Sequence, residues 1–335
     1  MQDNKAIILA TRPEPNGKAG LDNFLIVSSP VAEPGPGQVL VRHEYLSLDP
    51  YMRGRMNESK SYAACQALGE PMVGGTVGEV AASKNPAFAI GDKVVGMGGW
   101  QLYGLSDGAM LRKIAPNKDI PIQAWLGPLG MPGVTAWYGV NRIIAPKPGE
   151  TLVVSAATGA VGSIVGQLAK AAGARAVGIA GGPEKCAYAV EVLGFDDCID
   201  HRAPDFAARL KAALPNGIDG LFENVGGKCF DACLRRLNDF ARVAVCGLIA
   251  SYEGAEVSSV PDLRLLLIRR AKIEGFIILD HLPLWPQALA ELGAMIAAGK
   301  LHWRESVADG LEAAPKAFLG MLEGKNFGKQ LVRLA

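Results

Sequence analysis

The chain has 335 residues, 49% of them hydrophobic, enough to bury a substantial core in two domains or one large one. Its 34 Lys and Arg stand against 33 Asp and Glu, so no charge excess argues for nucleic acid, a membrane surface or a strongly acidic partner, and a small molecule is expected instead. No run reaches the length of a membrane span or a signal-peptide core, and the six cysteines follow no framework spacing, which fits a reducing cytoplasm.

The first third is rich in glycine and proline, with the short runs AIILAT, QVLVRHEYLSL, GGTVGEVAAS and DKVVGMG, and reads as a compact antiparallel β domain. From about Pro121 the pattern changes. MPGVTAWYGVNRI reads as a helix, and strands and helices then alternate: TLVVSA, GAVGSIVGQLAKAAG, RAVGIAG, EKCAYAVEVLG, DDCID, FAARLKAAL, GIDGLFENVGG, CFDACLRRL, ARVAVCGLIA, DLRLLLIRRA and KIEGFIIL. That order implies a parallel sheet covered on both faces. A last long helix, PLWPQALAELGAMIAAG, ends at Gly299, and the tail adds a helix and a short strand, QLVRL. Such a strand must join an existing sheet, and pattern alone does not say which.

Zinc needs Cys, His or carboxylate ligands at short spacings. Cys229 and Cys233 are four apart on a helix with no companion pair, and His43, His201, His281 and His302 are scattered, so no metal is expected.

In SAATGAVGSIVGQLAK, Ser155 to Lys170, three glycines fall between a strand and an apolar helix. Backbone without Cβ atoms lets a diphosphate approach the free N–H groups of a first helical turn, where the helix dipole also favours negative charge. The turn Thr158, Gly159, Ala160, Val161 would face that diphosphate, with Gly159 and Gly162 as close-approach positions and Gly166 letting the helix press on its strand. Ala157 stands where the first glycine of the dinucleotide fingerprint would be, so the motif rests on its strand-turn-helix context.

The second strand ends at Gly181-Gly182 without the carboxylate that would hold a ribose 2′-hydroxyl, while Lys185 is within reach of a 2′-phosphate. NADP is therefore expected over NAD. Glu184, after Pro183, favours a helix N-terminus.

LSLDPYMRGRM, MPGVTAWYG, AATGAVGSIVGQLAK, ENVGG and LEGKNFGK lie in order along the whole chain. Together they resemble the signature blocks of zinc-free medium-chain dehydrogenase/reductases of the leukotriene/prostaglandin reductase, plant double-bond reductase and bacterial curcumin reductase group. The resemblance implies an α/β fold: a doubly wound parallel Rossmann sheet, residues 123–299, inserted into a GroES-like β-rich catalytic domain, residues 1–122 completed by 300–335, with the active site in the cleft between them. Zinc-dependent relatives carry a ligand cysteine and a Gly-His-Glu motif where this chain has LSLDPYM and Gly74-Gly75-Thr76.

By the same resemblance, Met131 and Thr135 contact the nicotinamide side, Lys185 the adenosine 2′-phosphate and Asn224 the cofactor backbone. Cys246, Gly247, Ile249 and Tyr252, with Phe276, Ile277 and Ile278, frame the nicotinamide half, and Asn326 closes over it. Relatives often carry a tyrosine beside the adenosine phosphate where this chain has Asp200-His201-Arg202, leaving His201 or Arg202 to replace it.

Hydride addition to an α,β-unsaturated carbonyl moves negative charge onto the carbonyl oxygen, and a hydroxyl donor can stabilise the resulting enolate. Tyr252 is the first candidate donor, its alternative an interfacial core tyrosine, and Tyr51 is the second, although Arg53 and Tyr51 can equally hold the domain interface. Met52, Met56, Trp100 and Trp285 read as packing. The expected activity is NADPH-dependent reduction of the carbon-carbon double bond of enals or enones. A quinone or carbonyl reductase and a non-catalytic NADPH-binding protein are the alternatives. The partner is a small enal, enone or quinone, and the family implies a homodimer. Substrate choice would lie in the loops Asn57 to Glu70, Gly98 to Ala109 and Tyr252 to Leu263, which carry no readable code.

Overall fold

The computed structural model describes residues 3–14, 17–118, 120–252 and 263–334. The chain divides into two compact units, Met1–Gly127 with Glu305–Ala335, and Pro128–Arg304.

In the first unit β1 (Asp3–Leu9) and β2 (Phe24–Pro30) form an antiparallel pair. The strands β3 (Val39–Ser47), β4 (Thr76–Ser83), β5 (Lys93–Gly96), β6 (Tyr103–Ser106) and β7 (Arg112–Lys113) pair antiparallel around β3 and β4. Between β3 and β4 the block LSLDPYMRGRM turns into a short helix, α1 (Tyr51–Arg55), because Pro50 presets a helical φ just ahead of it.

The second unit opens with α2 (Met131–Tyr138), which widens into one π-helical segment, Gly139–Ile144, and stops at Ala145 in the left-handed region, φ 44°. There follow β8 (Thr151–Ser155), α3 (Gly162–Ala171), β9 (Arg175–Ala180), α4 (Pro183–Glu191), β10 (Asp197–Asp200), α5 (Phe206–Ala213), β11 (Ile218–Glu223), α6 (Gly227–Leu234), β12 (Leu237–Val245), α7 (Leu263–Arg269), β13 (Lys272–Gly275) and α8 (Trp285–Ala297). The strands form one parallel sheet in the order β10-β9-β8-β11-β12-β13. All of β8 is buried, as the continuous apolar run requires of a strand covered on both faces. The winding reverses between β8 and β11, so the carboxyl ends of these two strands flank the topological switch point.

The chain then returns to the first unit as β14 (Glu305–Asp309), α9 (Ala314–Leu322) and β15 (Lys329–Arg333). β15 runs parallel to β14 and antiparallel to β3, which settles which sheet receives QLVRL; β14 had no signal in the apolar pattern. Met52, Met56 and Trp100 are fully buried in this unit, Trp100 stacked on Phe24 at 5.5 Å and edge-on to Phe318 at 5.6 Å, in keeping with packing roles.

Two of the signature blocks meet in a buried ion pair. Lys329 Nζ, from LEGKNFGK, donates to Asp49 Oδ1 at 2.9 Å and to the Leu48 carbonyl at 2.7 Å, both in LSLDPYM. Asp49 also accepts from Ser47 Oγ. Removing one member of a buried pair leaves the other charged and desolvated. Lys329→Met is therefore expected to destabilise the first unit by about 3 kcal/mol, read as a lowered denaturation midpoint. A midpoint within error of wild type would refute the assignment.

Candidate nucleotide and hydride site

The turn after β8 is built on close backbone approaches. Ala156 takes the left-handed conformation at φ 49°, and its carbonyl would lie 2.3 Å from a Cβ at Gly162 and 3.2 Å from one at Gly159. A side chain at Gly162 cannot be housed. Helix α3 starts at Gly162, so Thr158, Gly159, Ala160 and Val161 form the turn ahead of it. Ala157, the departure from the fingerprint, fits because its neighbour on β9 is Gly178, where a Cβ would come within 2.7 Å of the Ala157 methyl. Gly166 does press close to a neighbour, although that neighbour is the Phe195 ring ahead of β10 rather than a strand, with a Cβ falling at 1.9 Å.

The two strand ends at the switch point are joined by a buried carboxyl that sequence reading did not single out. Glu223, at 0% exposure, accepts at Oε1 from Ser155 Oγ (2.8 Å), Val225 N (2.6 Å) and Gly226 N (2.8 Å). Burial raises its pKa, while those donors act in the opposite direction. Ser155 in turn holds Asn224: its Oγ accepts from Asn224 N and its carbonyl from Asn224 Nδ2, both at 2.8 Å. Asn224 thus sits at the switch point with its amide direction fixed.

At the tip of β9, Gly182 has φ 100°, and a Cβ at Gly181 would fall 3.0 Å from both His201 Nε2 and Arg202 Nε. The structure therefore brings His201 and Arg202 together at the glycine pair. The carboxylate of Asp200 is turned into the loop, where Oδ1 accepts from Gly182 N at 2.8 Å and Arg202 N at 2.9 Å. The Lys185 pKa is lowered by burial and then by the Arg202 charge. That of His201 is lowered by burial and then by Arg202, with Lys228 and Lys185 adding to the effect and Asp200 opposing it. Lys228 is a further member of the cluster that no motif announced.

A cavity of about 480 Å³ lies beyond β12 and β13, lined by Cys246, Gly247, Leu248, Tyr252, Phe276 and Ile277 among others, with Asp280 the acidic residue of its lining. Ile249 opens a short 3-10 turn and donates its N–H to the Asn224 carbonyl at 3.3 Å, while Ile278 is buried behind. The Tyr252 hydroxyl lies 3.5 Å from where a Gly247 Cβ would be. Phe276 packs on Tyr138 at 5.3 Å and edge-on to Phe222 at 6.2 Å. Burial and Glu223 push the Cys246 thiol up to about 12, so it is not a thiolate at neutral pH. In α2 the Thr135 hydroxyl donates to the Met131 carbonyl at 2.7 Å, leaving its lone pairs for an outside donor. The loop from Glu253 to Asp262 lies outside the described residues.

Tyr51 and Asn326 belong to the first unit. Burial, then the charge of Asp49, raises the Tyr51 phenol pKa, and the Arg55 guanidinium stands 5.9 Å from its ring centre. Asn326 Nδ2 donates to the Gly328 carbonyl at 2.8 Å.

Two family profiles match the chain, one described as the N-terminal domain of oxidoreductase over residues 5–114, the other as zinc-binding dehydrogenase over residues 160–294. The chain is 50% identical to the NADPH-dependent curcumin reductase of Escherichia coli, covering 100% of this chain and 98% of that protein. It belongs to the medium-chain dehydrogenase/reductase family. Within that family it falls in the zinc-free reductase group, and it is also 42% identical to the tobacco 2-alkenal reductase (NADP+-dependent), over 90% of this chain and 88% of that one. The crystal structure of CurA from Vibrio vulnificus in complex with NADPH superposes with a TM-score of 0.94 at 48% identity, covering 99% of each chain. The second profile's description names zinc. Among the described residues of this medium-chain reductase no three His, Cys, Asp or Glu side chains gather to hold an ion, and Cys229 and Cys233 pack into the core from the buried face of α6.

The Glu223 junction makes a stability prediction for this reductase. Glu223→Ala strands a hydroxyl and two backbone N–H groups in the interior and is expected to cost about 3 kcal/mol. Glu223→Gln keeps the accepting oxygen and is expected to lose far less. Equal losses in denaturant unfolding would contradict the hydrogen-bond account.

Proposed function

We propose that the chain is an NADPH-dependent reductase of the carbon-carbon double bond of α,β-unsaturated aldehydes and ketones. The observation that carries the reading is the cationic cluster at Gly181-Gly182. Burial and then the Arg202 charge lower the pKa of both Lys185 and His201, and Lys228 adds to the effect on His201, so four basic side chains face one tip, as suits a site shaped for an anion. Asp200 is turned into the loop, its Oδ1 held by Gly182 N and Arg202 N. That combination fits a 2′-phosphate. The bare backbone at Gly159 and Gly162 fits a diphosphate, since a Cβ at Gly162 would collide with the Ala156 carbonyl at 2.3 Å.

When bound, NADPH supplies the hydride. The residues of the chain bind, orient and stabilise. Asn224, locked through Ser155 and Glu223, presents its carbonyl side to the nucleotide between the two strand ends. Val161 and Met131 flank the approach to the ring, with the Thr135 hydroxyl oxygen as an acceptor. Cys246, Gly247, Phe276 and Ile277 form the apolar wall that excludes water. Tyr252 aims its hydroxyl at the carbonyl oxygen of the substrate, where negative charge develops as hydride adds to the β-carbon. Tyr51, with its phenol held protonated by burial, is the second candidate donor. Asn326 is proposed to cover the nicotinamide half.

We also propose that the protein works as a homodimer in the cytoplasm. β13 is the terminal strand of its sheet, offering an edge to a second copy, and all six cysteines are free thiols. No helix among the described residues is long and apolar enough to cross a membrane.

NADPH consumption with a short 2-alkenal or a phenylpropenal should yield the saturated carbonyl. An alcohol or hydroquinone as product, or no turnover across the panel, would sink the reading. Lys185→Ala should raise KM for NADPH about thirtyfold, the worth of one charge-assisted hydrogen bond, with little effect on NADH. Tyr252→Phe should lower kcat about 100-fold with KM for NADPH nearly unchanged, and an undiminished kcat would remove its assigned role.

A further inference from the structure

Directly beneath the cationic cluster lie two cysteines that no step of the reduction uses. Cys186 follows Lys185 in the first turn of α4, its N–H bonded to the Gly182 carbonyl at 3.2 Å. Cys198 is on β10, paired with Gly178 of β9, and its Sγ stands 3.0 Å from where a Gly178 Cβ would be. Glycine at 178 thus makes room for that sulfur on the face against which α4 packs. The two thiols interact with each other across the helix-strand contact. Neither is fully buried.

We infer that Cys186 and Cys198 are an oxidisable dithiol whose conversion to a disulfide by a hydroperoxide weakens NADPH binding. In the first step the Cys186 sulfur attacks one peroxide oxygen, the O–O bond breaks, and water or an alcohol leaves, giving a sulfenic acid. In the second the Cys198 sulfur displaces that hydroxyl, which leaves as water after taking the Cys198 proton. Two thiols and one hydroperoxide become one disulfide and two molecules of water, or one of water and one of alcohol.

Cys186 is the attacking sulfur on geometric grounds. It lies at the positive end of a nine-residue helix beside Lys185. Its interaction with Cys198 lowers its pKa, while burial and the carboxylates of Asp200 and Asp197 oppose the shift. The Cys198 pKa is raised, first by the interaction with Cys186 and then by burial, as suits a resolving thiol.

The coupling to the cofactor follows from what each cysteine is tied to. A disulfide contracts the contact between two free thiols to about 2.05 Å, drawing the first turn of α4 toward β10. Lys185 is on that turn. Two residues after Cys198, Asp200 fixes the backbone of Gly182 at 2.8 Å and of Arg202 at 2.9 Å. The contraction therefore displaces the 2′-phosphate seat from both sides. This coupling rests on the NADP seat proposed above, whereas disulfide formation does not.

The full-length enzyme is treated with hydrogen peroxide, alkylated and digested with trypsin. Cys186 to Arg202 is a single tryptic peptide containing both cysteines, since no Lys or Arg falls between them. It is expected to lose the mass of two hydrogens and to take up no alkyl group, and dithiothreitol should reverse both changes. KM for NADPH should rise about tenfold on oxidation and recover on reduction, and saturating NADPH should shift the thiol-disulfide equilibrium toward the dithiol by the same factor. Cys186→Ser, which keeps a hydrogen-bonding group, should make KM insensitive to peroxide. A peptide that still takes two alkyl groups after peroxide has oxidised the exposed Cys65 would overturn the dithiol. A disulfide with unchanged KM for NADPH would overturn the coupling. If Lys185→Ala also left NADPH affinity untouched, the fault would lie with the seat and not with the disulfide.

Discussion

One buried oxygen, Glu223 Oε1, ties the carboxyl ends of β8 and β11 together, and the site is arranged around that junction. Parallel strands end in backbone groups that the sheet no longer satisfies, and at a switch point the two neighbouring ends diverge into opposite crossovers. Placing one acceptor against a hydroxyl from β8 and two N–H groups after β11 satisfies those groups and fixes the gap between the strands. The turn Thr158 to Val161 and the Asn224 amide inherit their positions from it. Through the Ile249 N–H bond to the Asn224 carbonyl, so does the start of the ring pocket.

The same economy of backbone contact governs the glycine turn. Gly162 is required by the Ala156 carbonyl, and Gly178 on the adjacent strand permits Ala157 where the fingerprint would have glycine. Gly178 also admits the sulfur of Cys198. A single missing side chain on β9 thus accommodates both the altered glycine turn and the sulfur of Cys198.

At the Gly181-Gly182 tip, burial and then the neighbouring Arg202 charge lower the pKa of Lys185 and His201. In the first unit the buried charge is matched instead. Lys329 and Asp49 neutralise one another, join the last strand to the end of β3, and bring two distant signature blocks into contact. Like charges gather at the strand tip, whereas pairing is used where the fold itself must close.

Much of this was legible in the sequence because it follows from local chemistry. Alternating apolar periods gave the βα order of the second unit, and glycines between Ser155 and Gly166 marked the nucleotide turn, since only bare backbone allows that approach. The absence of a carboxylate at Gly181-Gly182 and the presence of Lys185 spoke for a phosphate, because charge is carried by residue type. Tertiary structure decided what depends on residues far apart in the chain. His201 and Arg202 are joined at the strand tip by Lys228 because β10 and α6 deliver them to one place. The Glu223 and Ser155 bond spans 68 residues, and the partner of QLVRL is a strand nearly 290 residues earlier. Short-range order is set by side-chain period and backbone freedom, whereas hydrogen bonds and ion pairs across such separations exist only once the sheet has fixed its strand order.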